Sequence, residues 1–253
     1  MPFRVVSRHV LAGLAAALVL TGCAPASSGS GTTDLVVFAA SSLNPTFAAL
    51  GREFEAAHPG VTVKFSFDGS AALVDQLKAD APADVFASAD AATMDHATSA
   101  GLLGGTPAKF TSNVLTLIVP KGNPAGITGL DESLEGKKLV VCADGVPCGT
   151  ATRKLAAALG VTLKPVSEET KVTDVRTKVE SGQADAGIVN VTDAKVSAAL
   201  VDALPIPGAD KFRNDYLIAT VKSSKQPSLA AEFVSLVTGD RGQQVLKAAG
   251  FGG

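Results

Sequence analysis

Short apolar runs alternate along this chain with stretches in which apolar residues return every three or four positions. Leu35–Ala39, Val61–Phe67, Asp84–Ala87, Leu139–Cys142 and Ala186–Asn190 are rich in Val and Phe and bounded by polar or Gly residues, and they predict strands. Leu43, Phe47, Leu50 and Phe54 recur at helical spacing and make one apolar stripe. Leu73 with Leu77, Leu155 with Leu159, Val172 with Val175 and Val179, and Leu229 with Phe233 and Leu236 repeat the pattern. Strand–helix alternation of this kind implies parallel sheets with helices on both faces. Two further apolar runs, Val114–Val119 and Tyr216–Val221, follow polar stretches and lead into no obvious helix. They split the pattern into an N-terminal block, a middle block and a helical tail. The expected arrangement is α/β in two lobes joined by two crossings, with residues 34–113 and 218–253 in lobe 1 and 114–217 in lobe 2. No internal sequence repeat is visible.

The first residues belong to a different pattern. Arg4 and Arg8 precede Val10–Leu20, an apolar run of eleven residues. Spanning a bilayer takes roughly 20 apolar residues, so this run reads as the core of a secretion signal. Leu20-Thr21-Gly22-Cys23 follows, and it resembles the lipobox of bacterial lipoproteins, whose signal is removed before a Cys that then receives lipid. Residues 1–22 are therefore expected to be a signal peptide and Cys23 a lipidated residue. Residues 24–33 (APASSGSGTT) are small, polar and aperiodic, and read as a flexible tether. The expected location is outside the cytoplasm, attached to the cell membrane by the lipid.

Charge and rare residues narrow the chemistry. Removing Arg4 and Arg8 takes the net charge from −2 to −4. That surface offers no footprint for nucleic acid, and any anion must be held by local groups rather than by global attraction. Beyond the signal there is no Trp, and the only histidines are His58 and His96, too few for a multi-histidine metal site. With Cys23 lipidated, Cys142 and Cys148 remain as a pair in an oxidising compartment, six residues apart across Gly145 and Pro147. A disulfide is expected, since a metal site would need further ligands nearby.

In parallel α/β sheets, ligands sit beyond the carboxyl ends of the strands, where helices begin. Five junctions carry small or hydroxylated residues there: Ala39–Ser42, Phe67–Ser70, Val146–Thr150, Val172–Val175 and Val189–Thr192. Helix N-termini present unpaired N–H groups and partial positive charge, so they hold anions without a cationic side chain. Ser42 precedes Pro45, which has no N–H to cap, and this frees its hydroxyl to point outward. Taken singly, each junction reads equally as an ordinary cap. Catalytic constellations are missing. His58 sits before Pro59-Gly60 in a turn, His96 in a polar helical stretch, and there is no P-loop or GxGxxG. Asp84, Asp90 and Asp95 are dispersed, with capping and loop hydrogen bonds as the expected roles of the first two. Neither enzyme activity nor a cofactor is expected.

Val37-Phe38-Ala39-Ala40-Ser41-Ser42-Leu43, Ala81-Pro82-Ala83-Asp84-Val85-Phe86-Ala87-Ser88-Ala89-Asp90, Gly187-Ile188-Val189 and the closing Ala249-Gly250-Phe251 resemble, in this order, the molybdate-binding protein (ModA) family of ABC transporters. The resemblance implies the two-lobed periplasmic-binding-protein type II fold, with parallel-rich sheets, helices on both faces and two crossover strands. It implies capture of a molybdate or tungstate dianion between the lobes for delivery to an ABC permease, by a chain acting as a monomer. The metal would be held through its oxygens, with no direct metal ligands. The family's two serines fall on Ser42 and Ser70, and its backbone donors on Cys148 and Val175. Its fifth position, a Tyr hydroxyl, falls on Asn190, a departure that shortens the donor's reach. Asp68, two residues before Ser70, is unusual beside a dianion. Three alternatives follow from the residues: a receptor for sulfate, phosphate or thiosulfate, an extracytoplasmic enzyme, and a purely structural lipoprotein.

Overall fold

The computed structural model describes residues 32–252. The signal peptide, Cys23 and most of the tether lie outside the described residues.

Two five-stranded sheets carry the chain. The first holds β1 (Thr33–Ala40), β2 (Val61–Asp68), β3 (Val85–Ser88), β4 (Ala108–Asn113) and β10 (Asn214–Thr220), in the order β2-β1-β3-β10-β4. The second holds β5 (Leu115–Pro120), β6 (Leu139–Cys142), β7 (Ser167–Glu169), β8 (Ala186–Asn190) and β9 (Val201–Pro205), in the order β7-β6-β8-β5-β9. The helices are α1 (Asn44–Ala57), α2 (Ser70–Lys78), α3 (Ala91–Ser99), α4 (Pro147–Leu159), α5 (Val172–Glu180), α6 (Val191–Val196), α7 (Pro227–Thr238) and α8 (Asp240–Ala249).

Period-2 alternation in the strands feeds two layers of helices. Leu35, Val37 and Ala39 of β1 pack with Phe47, Leu50 and Phe54 of α1 and with Phe233 and Leu246 of the tail. Phe38 points the other way, into a second cluster with Leu73, Leu77, Phe86 and Met94. The tail therefore does return to lobe 1. Lobe 2 has its own core around Leu117, Val141, Leu155, Val175 and Ile188.

The sheets are parallel-rich as expected, with mixed strand directions. In each, one strand runs against the rest: β10 is antiparallel to β3 and β4, and β5 is antiparallel to β8 and β9. The polypeptide leaves lobe 1 directly from β4 into β5, with only Val114 and no helix between. Two expectations are corrected. Sheet membership moves the return point. β10 belongs wholly to the first sheet from Asn214, so residues 214–217 stand with lobe 1 rather than lobe 2. Finally β4, β7 and β9 were not legible as strands, being polar or only three to five residues long, and Thr33, given to the tether, already belongs to β1.

The motif residue Asp84 is a tie inside lobe 1. Its carboxylate accepts from the Val36 N–H at 2.8 Å, from Ser224 Oγ at 2.6 Å and from the Lys225 N–H at 3.1 Å. Asp90 caps α3 by accepting from the Thr93 N–H at 2.9 Å. Both fill the structural roles read from the sequence.

Candidate functional site

The junctions singled out above converge from both lobes on one small space. Ser42, Asp68, Gly69, Ser70, Ala89 and Tyr216 face it from lobe 1, and Val146, Pro147, Cys148, Lys171, Val172 and Asn190 from lobe 2. The space is tight, about 20 Å³. Larger hollows of about 570 and 630 Å³ lie on lobe 2, but none of the five residues carried over from the family lines either. The small space is thus the one where the anion-binding features meet, and it suits an ion of few atoms rather than an organic solute, whose pockets typically run to about 300–1,000 Å³.

Each candidate donor owes its availability to local structure. Ser70 opens α2, and its Oγ accepts from the Ala89 N–H at 3.0 Å. A hydroxyl that accepts from the backbone keeps its own proton free to donate. Ser42, in the 3-10 turn Ser41–Leu43, lies 2.9 Å from the Tyr216 hydroxyl. Pro147 at the first position of α4 leaves the next N–H, that of Cys148, facing out of the helix end. Cys148 is joined to Cys142 at the end of β6 by a disulfide with the Cα atoms 5.7 Å apart, as expected. The first turn of α4 also lies flat on this loop: a Cβ on Gly149 would stand 1.9 Å from the Ala143 carbonyl oxygen.

Val175 is the fourth residue of α5, which begins at Val172, and is not among the residues lining the space. Its side chain is buried in the lobe 2 core, where a Cβ on Gly187 would come within 2.8 Å of it. Val172, the first residue of that helix, does line the space. Asn190 faces the space too, but its amide Nδ2 donates to Asp193 Oδ2 at 2.8 Å and its Oδ1 has no partner. Lys171 and Tyr216 line the space and were missed from sequence. Lys171 stands just ahead of the apolar stripe that opens at Val172. Tyr216 is the single tyrosine of the chain and sits in an apolar run, which reads as core.

A family model for bacterial extracellular solute-binding proteins matches residues 35–252. The chain belongs to that family. The molybdate-binding protein ModA of Mycobacterium tuberculosis H37Rv is 47% identical over 248 residues, covering 96% of this chain and 95% of that one. Among solved structures, the periplasmic molybdate-binding protein of Azotobacter vinelandii matches with a TM-score of 0.75 at 22% identity, over 86% of this chain and 98% of the other. The sulfate-binding protein SubI of Mycobacterium tuberculosis matches at 0.71 and 21%, over 87% and 86%. The tungstate ABC transporter protein of Geobacter sulfurreducens matches at 0.66 and 19%, over 85% and 98%. At these identities the structures speak for the fold alone, and the fold is the two-lobed one that the residues implied. The family resemblance read from the sequence agrees with these findings. A solute-binding protein of this kind is a transport component and not an enzyme, works outside the cytoplasm, and takes its ligand as cargo rather than as a cofactor. No helix among the described residues is long and apolar enough to cross a membrane.

Behind Asn190 the solute-binding protein buries a charge. Burial lifts the Asp193 carboxyl to about 6, against the lowering effects of the Asn190 hydrogen bond and the Arg176 charge. Arg176 Nη1 is 3.9 Å away, and its Nε lies 2.9 Å from Glu180 Oε1 at an angle too poor for a hydrogen bond. Burial, followed by the Asp193 charge, also raises the Tyr216 phenol well above its ordinary value. The folded chain therefore holds the Asp193 proton more tightly than the unfolded chain, whose ordinary value is 3.8. The resulting stability is fully present below about pH 4 and is lost as pH rises through 6. Urea unfolding of the parent and of Asp193→Asn should show the variant gaining on the order of 2 kcal/mol on the parent between pH 4 and pH 7. A constant gap between the two would contradict this assignment.

Proposed function

We propose that this protein captures molybdate or tungstate outside the cytoplasm for an ABC importer, held at the membrane by a lipid on Cys23 and acting as a monomer. The observation that carries the reading is the small interlobe space lined by hydroxyls and free N–H groups from both lobes. The 47% identical relative named for molybdate supports the choice of anion. In this reading Ser42 and Ser70 donate from lobe 1, and the N–H groups of Cys148 and Val172 from lobe 2, with Val172 in place of Val175. The Tyr216 hydroxyl donates to Ser42 Oγ and so turns the Ser42 proton towards the anion, which restores a tyrosine to the site from a different strand. Asn190 contributes through its amide only in part, because Asp193 already engages it.

A thermal-shift panel of oxyanions tests this. An anion at 100 times its dissociation constant adds about 2.7 kcal/mol, or roughly 5–10 °C for a domain of this size. Molybdate and tungstate should give that shift and sulfate, phosphate and thiosulfate a smaller one. A larger shift with sulfate would reassign the ligand, as the likeness of fold to a sulfate-binding protein makes worth testing. Cys23→Ala should abolish acyl labelling of the exported chain, and unchanged labelling would remove the anchor.

A further inference from the structure

The two lobes touch backbone to backbone beside the anion space. Gly69, ahead of α2 in lobe 1, approaches the loop ahead of α5 in lobe 2 so closely that a Cβ on it would stand 2.3 Å from the Thr170 carbonyl oxygen. Its backbone (φ −62°, ψ 136°) is one that any residue adopts, so glycine is required here for room and not for conformation. The residues on either side carry opposite charges across the same gap. Asp68 Oδ1 lies 3.4 Å from Lys171 Nζ, and the same oxygen accepts from the Gly69 N–H at 2.8 Å. These four residues sit directly between the donors Ser70 and Val172.

We propose that Gly69 and the Asp68–Lys171 pair form the closing contact of the cleft and set its affinity, as positioning residues that need not touch the anion. The inference rests on the oxyanion reading above. A side chain at 69 would hold the lobes apart by about 1 Å, the difference between a 2.3 Å overlap and ordinary contact. Hydrogen bonds that need about 2.7–3.2 Å would then fail from one lobe or the other. Apparent affinity falls with the fraction of molecules able to close. The ion pair holds the closed state from outside, and it also resolves the oddity of a carboxylate at 68: Lys171 balances it.

Calorimetry with molybdate, melting curves, and small-angle scattering with and without molybdate test this on the soluble protein. Gly69→Ala should weaken binding about 10- to 100-fold, the cost of hydrogen bonds to a charged ligand. It should keep the parent's ligand-free melting temperature and lose the ligand-induced compaction. Asp68→Asn gives the sharper contrast. It removes a negative charge next to a dianion, so charge alone would tighten binding, whereas loss of the closing pair should weaken it about two- to five-fold. Gly69→Ala binding within two-fold of the parent, or Asp68→Asn binding more tightly, overturns the proposal. A parent that binds no molybdate overturns the oxyanion reading and this inference with it.

Discussion

Ser42→Ala and Ser70→Ala should each weaken molybdate binding by about 1.5–3 kcal/mol, a loss of roughly 10- to 100-fold, because each removes a hydrogen bond to a charged ligand in a space with little water. The two should differ in what else they do. Ser70 Oγ also accepts from the buried Ala89 N–H, so its removal leaves that donor unpaired and costs the ligand-free protein about 1–3 kcal/mol of stability. Ser42 shares its other contact with the Tyr216 hydroxyl, which is left without that partner. Tyr216→Phe separates the effects: it keeps the Ser42 hydroxyl but removes the group that orients it, and should cost less affinity than Ser42→Ala. Calorimetry paired with ligand-free melting curves checks all three. Normal binding by both serine variants would move the site elsewhere.

The largest effect on stability is expected at Asp84, far from the anion. Its carboxylate joins β1 through the Val36 N–H to the segment before α7 through Ser224 and the Lys225 N–H, and it is buried. Asp84→Ala removes one buried acceptor shared by two backbone N–H groups and the Ser224 hydroxyl, at about 1 kcal/mol for each hydrogen bond lost. A total near 3 kcal/mol or more corresponds to a fall of roughly 6–12 °C in melting temperature. Asp84→Asn should recover little, since its amide turns an NH₂ towards groups that are themselves donors. A melting temperature within 2 °C of the parent would show that water replaces the carboxylate. Because the tie lies wholly within lobe 1, whatever Asp84→Ala still folds should bind its anion with parental affinity.

How much of this was legible in the sequence depended on the range of the interaction. The stripes Leu43–Phe54 and Val172–Val179 and the apolar strands give the lobes because burial on one face leaves a local period. β4, with its polar AKFTSN, and the three-residue β7 are strands only because a neighbour pairs with them, and nothing in their own residues says so. The two sheets repeat one strand order although no sequence repeat is visible, since packing rules and not residue identity impose it. Ser42, Ser70 and Cys148 line the space and stand at junctions legible in the sequence because a helix start leaves a local mark. Val175 came from the family resemblance, and the residue of that helix that lines the space is Val172, three positions earlier. Tyr216 meets Ser42 across 174 residues, and Lys171 meets Asp68 across the cleft. Such partners are chosen by the fold.

The central claim is that neutral donors from two lobes close on a tetrahedral dianion. Calorimetric titration of the soluble protein with molybdate, and with sulfate as competitor, tests it most directly. One site per chain is expected, with a dissociation constant in the micromolar range or tighter, about −8 kcal/mol or better, and displacement by sulfate only at far higher concentration. Absence of molybdate binding, or sulfate binding more tightly than molybdate, would contradict it.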